Sequence, residues 1–312
     1  MNKFALKKFK KKSPFSILRK KKNLLQFKLN RYLQKNHNPK DIHSHIHDIH
    51  RKIKENSVKS LLNHVFTKEE EAINRQESQK PVKSIIPLHI FQTWWTKDLP
   101  KNMLDSVLSV KNQNPEFEYH LYDDHDCLEF IKNHFPPSVV DAYKSLIPGA
   151  YKADLWRYCV LYIYGGVYID IKFKCAPGFK FIELTDKEHF CNDFKKRKRS
   201  IYNGVMITKP KNPLLLKAIH KVVQNVKKRY YGKGSLFPTG PILLGKIFKN
   251  KFMKDVDMKL APLNKTGLSI KYKDRRILTF YNNYRNEQRK FSNKPHYHLL
   301  WKKKAIYFTP KH

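Results

Sequence analysis

Apolar positions recur at Ile42, Ile46, Ile49 and Ile53, and Val58, Leu61, Leu62 and Val65 continue the seam, which predicts an amphipathic helix. The polar run TKEEEAINRQESQKPVKS, containing Pro81, breaks that pattern and predicts a linker near residues 75–83. Beyond it the period changes. SIIPLHIF reads as a buried strand, Lys101 to Asn112 as a helix and FEYHLY as a strand, and Asp123 or Asp124 caps a helix running to about Phe135. Pro148 and Gly149 precede a helical stretch from Ala150 to Tyr164, which Gly165 and Gly166 close. VYIDIKF and SIYNGVMI follow as strands, and a further helix starts near Pro213. Strands alternating with helices in this way predict an α/β fold, a mixed and mostly parallel sheet flanked by helices. In such sheets the ligand site lies at the carboxyl ends of the strands. The expected organisation is a basic helical extension at residues 1–83 followed by one α/β domain at 84–312.

Composition adds charge to this picture. The 312 residues carry 64 Lys+Arg against 26 Asp+Glu, a formal net charge of +38, and 40% of them are hydrophobic, enough for a sizeable core. Residues 1–40 hold 14 of the Lys and Arg and no Asp or Glu, so this segment is expected to be solvated or to adhere to an anionic membrane surface. Nucleic acid is the competing partner for so basic a chain. No zinc finger, RRM or other nucleic-acid-reading signature accompanies the charge, and it is not the expected partner. Of His43, His45, His47 and His50, His43, His47 and His50 fall on a helical face beside the isoleucine seam, where a transition-metal site is conceivable, but nothing else supplies carboxylate or thiolate ligands at fixed spacing, and solvated histidines are the expectation there. Cys127, Cys159, Cys175 and Cys191 show no CxxC spacing and read as free thiols of a reducing compartment. No run approaches the ~18 apolar residues of a membrane span, and Lys and Arg interrupt the N-terminal apolar stretch. The expected location is therefore cytoplasmic, peripheral on a membrane at most, with no signal peptide or transmembrane anchor.

The chemistry concentrates in GAYKADLWRYCVLYIYGGVYIDIKFK, residues 149–174. Asp154 and Arg157 are neighbours on one helical face, and a Gly165-Gly166 return throws the chain back into a strand that delivers Asp170. Left to itself, the Asp154 and Arg157 pair reads equally as a helix-surface ion pair worth about 0.3–0.5 kcal/mol. The full pattern ADLWRYCVLYIYGGVYID, with IPLHIFQTWW, PTGP at 238–241 and HYHLLW at 296–301, resembles glycosyltransferase family 32, which has a DXD-containing sugar-binding region. A more distant similarity is to the glucosylating domains of large clostridial toxins. The resemblance covers roughly Ile85 to Tyr307.

The resemblance implies a GT-A fold and retaining transfer of a sugar from a UDP- or GDP-linked donor to a hydroxyl of a glycan, glycolipid or protein. It also implies the site. Trp94 would stack on the nucleobase with Gln92 nearby, and Asp154 and Arg157 would hold the sugar hydroxyls. Asp170 would be the first DXD aspartate, and His296 and Trp301 would close over the diphosphate. Asn203 reads either as a group reaching the anomeric centre or as a turn former ahead of Gly204. The family's metal, Mn²⁺ or Mg²⁺, would fall to Asp170 with His296. The sequence departs from the pattern where Lys172 replaces the second DXD aspartate, shifting local charge by two units. Lys172 could stabilise the leaving diphosphate itself, the metal could persist on Asp170 with His296 or another carboxylate such as Asp193, or the chain could bind donor without catalysis. Asp170, Lys172 and Arg157 are the candidate catalytic residues.

Overall fold

Residues 84–193, 200–252, 256–263, 267–281, 283–292 and 294–308 are described by the computed structural model. They belong to one unit that runs from Val82 to His312. The basic segment 1–40, the isoleucine seam with its histidines and the linker near 75–83 lie outside the described residues.

Strand β1, His89–Thr93, starts later than SIIPLHIF suggests. Pro87 has no N–H to give to a ladder, so pairing begins only beyond it. Helix α1, Lys101–Gln113, leads into β2, Glu118–Tyr122. Helix α2, Asp124–His134, is capped by Asp123, whose side chain accepts from the Asp126 amide while Asp126 reaches back to the Asp123 amide. Helix α3, Pro137–Ser145, is followed by α4, Gly149–Tyr164. Strand β3, Gly166–Ile169, then runs antiparallel to β6, Ile201–Thr208, and parallel to β1. Helix α5, Pro213–Lys227, is capped by Asn212, and α6, Pro241–Phe252, starts at the end of PTGP.

VYIDIKF is two strands rather than one. β3 stops at Ile169, Asp170 to Lys172 turn, with the Phe173 amide donating to the Asp170 carbonyl at 3.0 Å, and β4, Phe173–Cys175, begins. The remaining strands are β5, His189–Asn192, β7, Met258–Pro262, β8, Leu268–Tyr272, and β9, Arg275–Phe280. Among the described residues nine strands form one sheet in the order β2-β1-β3-β6-β5-β7-β8-β9-β4. Its parallel pairs are β1 with β2, β1 with β3 and β5 with β7. Because β3 and β4 adjoin in sequence yet β4 pairs with β9 at the end of that order, the sheet curls back on itself around the Asp170 turn.

The pleat separates two apolar layers. Phe91, Tyr168 and Met206 pack with Leu155, Trp156 and Leu161 of α4 and with α5, whereas Ile90, Val167, Ile169, Val205 and Ile207 face Phe181, Met258 and Leu278. Strands covered on both faces explain the near-continuous apolar runs from which they were readable. Gly165 and Gly166 hold φ of 66° and 99°, and a Cβ on Gly166 would lie 2.7 Å from the His89 carbonyl, so glycine is what lets β3 approach β1. All four cysteines are free and buried, and burial pushes the Cys175 thiol up to about 12.

Candidate active site

Three charged side chains converge where β3 ends. Arg157, on the sheet-facing side of α4, lies between two carboxylates, with Nη2 3.4 Å from Asp154 Oδ1 and Nη1 3.2 Å from Asp170 Oδ1. It also donates from Nη1 to the Asn203 carbonyl at 2.7 Å and from Nε to the Ala153 carbonyl at 3.0 Å, and its guanidinium sits 4.4 Å from the Tyr168 ring centroid. With 5% of its surface exposed, Arg157 is a buried cation rather than a member of a helix-surface pair.

Behind it, Asp154 is fully used. Asn203 Nδ2 donates to its Oδ1 at 2.8 Å and Thr239 Oγ1 to its Oδ2 at 2.7 Å. Tyr158 ties these clamps together, its hydroxyl donating to the Thr239 carbonyl at 2.9 Å and accepting from Asn203 at 2.8 Å. Asn203 is therefore a mid-strand residue of β6, not a turn former. PTGP supplies the second clamp through Thr239, whose side chain the motif gave no reason to single out.

In front, Asp170 accepts from the Tyr168 hydroxyl at 2.9 Å, and its Oδ2 lies 2.6 Å from Lys172 Nζ. The Tyr202 hydroxyl is 3.5 Å from the same oxygen, and the Asp170 amide donates to the Gly204 carbonyl at 2.8 Å. A Cβ on Gly204 would meet Asp170 Oδ2 at 2.5 Å, which explains glycine at that position. Burial alone would raise the Asp170 pKa, but Lys172 and Arg157 outweigh it and hold the carboxyl below the usual range. Burial lowers the Lys172 pKa, with Asp170 opposing.

Arg157, Asp170 and Lys172 face a cavity of about 340 Å³ that Trp94, Trp95, Tyr168 and His296 also line. It opens at the carboxyl ends of β1 and β3, as the fold class predicts. Helix α7, Tyr284–Phe291, also lines it, contributing Arg285, Gln288 and Arg289, followed by Lys294. These cations carried no signal in a sequence so rich in Lys and Arg. Gln92, Asp154, Asn203 and Trp301 do not line the cavity. Gln92 is buried and its Oε1 accepts from the Tyr119 hydroxyl at 2.6 Å. Trp301, on α8, Tyr297–Lys302, donates from Nε1 to the Tyr231 carbonyl at 2.8 Å. Asp193 accepts from the Ser200 hydroxyl at 3.0 Å and lies away from the cavity.

A divalent ion does not fit between Asp170 and His296. Both Asp170 oxygens already meet a cation, the Lys172 ammonium occupies the side of Oδ2, and His296 Nδ1 accepts from the His298 amide at 3.3 Å. Among the described residues, His89 with Glu118 and His120, and Asp123 with His125 and Asp126, each gather three ligand atoms within 4.8 Å of one another. Neither group lines the cavity. Among the described residues no helix is long and apolar enough to cross a membrane.

Residues 100–191 match the family model described as glycosyltransferase sugar-binding region containing DXD motif, so the resemblance found in ADLWRYCVLYIYGGVYID holds over that stretch. Among curated proteins, the chain is 30% identical over 187 residues to mannosyl phosphorylinositol ceramide synthase SUR1 of Saccharomyces cerevisiae, covering 58% of this chain and 46% of that one. It is 28% identical over 165 residues to inositol phosphoceramide mannosyltransferase 3 of Schizosaccharomyces pombe, covering 52% and 45%. An uncharacterized glycosyltransferase, L373, of Acanthamoeba polyphaga mimivirus is 28% identical over 140 residues, covering 42% and 53%. The chain thus spans about half the length of the curated relatives it matches. Among solved structures, the PaToxG glycosyltransferase superposes at a TM-score of 0.41 with 16% identity, covering 62% of this chain and 80% of that one.

Proposed function

We propose that residues 84–312 form a retaining glycosyltransferase domain that moves a hexose from a UDP- or GDP-linked donor to an acceptor hydroxyl. The observation that carries this is Arg157, held between Asp154 and Asp170 at the floor of a cavity that is cationic and aromatic at the strand ends. Trp94 would face the nucleobase, and Arg157 and Asp170 the sugar. Asp154 and Asn203 would act from behind by fixing the guanidinium.

In the reaction, the acceptor oxygen bonds to the anomeric carbon on the face from which the nucleoside diphosphate leaves. The bond from that carbon to the diphosphate oxygen breaks, and the acceptor proton passes to a departing phosphate oxygen. The protein's task is to position both substrates and to stabilise the negative charge that grows on the diphosphate. Because two of the relatives above are named as a mannosyl phosphorylinositol ceramide synthase and an inositol phosphoceramide mannosyltransferase, mannose on a glycolipid headgroup is the first pair to try. Such an acceptor would bring the chain to a membrane surface, to which the basic segment 1–40 would add attraction.

The test is release of free nucleoside diphosphate from a panel of UDP- and GDP-hexoses, including GDP-mannose, with the sugar's anomeric configuration followed by NMR. Slow hydrolysis of one donor, accelerated by an acceptor and giving a retained anomer, is the expected result. An inverted product contradicts the mechanism, and neither binding nor turnover across the panel contradicts the assignment.

A further inference from the structure

Once Asp170 has engaged Arg157 and Lys172, the cavity still carries more positive than negative charge. Arg285 and Arg289 stand one turn apart on α7 and both line it. Neither makes an ion pair among the described residues, and Arg285 Nη1 donates only to Gln288 Oε1 at 3.2 Å. Helix α7 is anchored where it stands. Tyr284 is buried, and Glu287 accepts from the Tyr281 hydroxyl at 2.8 Å and from Asn102 Nδ2 at 2.8 Å. The Lys172 ammonium, which lines the same cavity, is held over Asp170 at 2.6 Å, at the place where a second DXD carboxylate would have drawn in a divalent cation. The Tyr281 amide donating to the Lys172 carbonyl at 3.1 Å ties this turn to the segment that leads into α7.

Building on the donor class assigned above, we propose that the donor's diphosphate binds between Lys172 and the α7 arginines, so that these side chains replace the divalent cation altogether. Three cations lining one cavity, Lys172 held by Asp170 and the two arginines in no ion pair among the described residues, suit an anion that gains charge as its bond to the sugar breaks. Arginine forks also match phosphate oxygens in pairs.

The test is calorimetric titration of GDP and UDP onto the full chain, in EDTA and in MnCl2. One nucleotide is expected to bind equally well in both, within about twofold, and more weakly as salt rises. R285A/R289A, changed only at exposed positions, is expected to bind about tenfold or more weakly with its thermal unfolding unmoved, and K172M to show a similar loss that K172R largely restores. K172D regenerates a pair of carboxylates. It is expected to lose binding in EDTA and to regain it with Mn²⁺, while binding Mn²⁺ in the absence of nucleotide as read by electron paramagnetic resonance. Binding by the unaltered chain only when Mn²⁺ is present overturns this proposal and leaves the donor class standing. Unchanged affinity in R285A/R289A overturns the α7 site. No binding of either nucleotide under any condition overturns the donor class, and this proposal with it.

Discussion

Arg157→Ala is expected to destabilise the folded chain by roughly 3–5 kcal/mol, because it leaves the buried Asp154 carboxylate and the Asn203 carbonyl without their cation, while Asp170, half-buried at the cavity, keeps only Lys172. The size of the effect comes from what stays behind. Asp154 is 7% exposed and cannot move to water, and its remaining donors, Asn203 and Thr239, are neutral. Arg157→Lys keeps the charge but not the fork that reaches Asp154, Asp170 and the Asn203 carbonyl together, so an intermediate loss is expected. Urea unfolding followed by circular dichroism reads both variants. A change below about 1 kcal/mol in Arg157→Ala would place this arginine among ordinary exposed ion pairs.

Asp170→Asn is the second large effect, and it separates binding from chemistry. The amide keeps the shape of the carboxylate and can still accept from the Tyr168 hydroxyl, but it no longer neutralises Lys172 or Arg157. Turnover of the sugar nucleotide is expected to fall about 10²–10³-fold, the size of effect that follows loss of one preorganised polar group at a reacting centre. Affinity for the bare nucleoside diphosphate is expected to hold or rise, because Lys172 is released toward it. Parallel loss of both properties would assign Asp170 to the architecture of the turn instead. Unchanged turnover would remove it from the site.

Much of the site was readable because it is built locally. Asp154 and Arg157 share a face through helical spacing, and Gly165-Gly166 announced the reversal that brings Asp170 back to them. Asp123 was legible as a cap because a short polar side chain before an apolar-periodic stretch has a local job. The break at Asp170 was not legible, since VYIDIKF is apolar enough for one buried strand. What ends it is β9, whose pairing with β4 draws the chain to the other end of the sheet from about a hundred residues away. Thr239 was hidden for the same reason, and Asn203, though a candidate, was not readable as a clamp, because their partner Asp154 lies 85 and 49 positions from them. Arg285 and Arg289 were hidden by numbers, since nothing local marks two cations among 64. Trp301 and Gln92 show the converse. Each stands in a segment that resembles the family, and each is turned to a protein partner rather than to the cavity.

In the proposed complex, Arg157, Asp170 and Lys172 face the phosphates and sugar of one bound donor. A crystal structure of the full chain soaked with the nucleotide that binds most tightly tests it most directly. Density for the diphosphate is expected between Lys172 and α7, with the base beside Trp94 and the terminal phosphate nearest Asp170. Nucleotide bound on another face, with the cavity beside Arg157 holding only water, would contradict that placement.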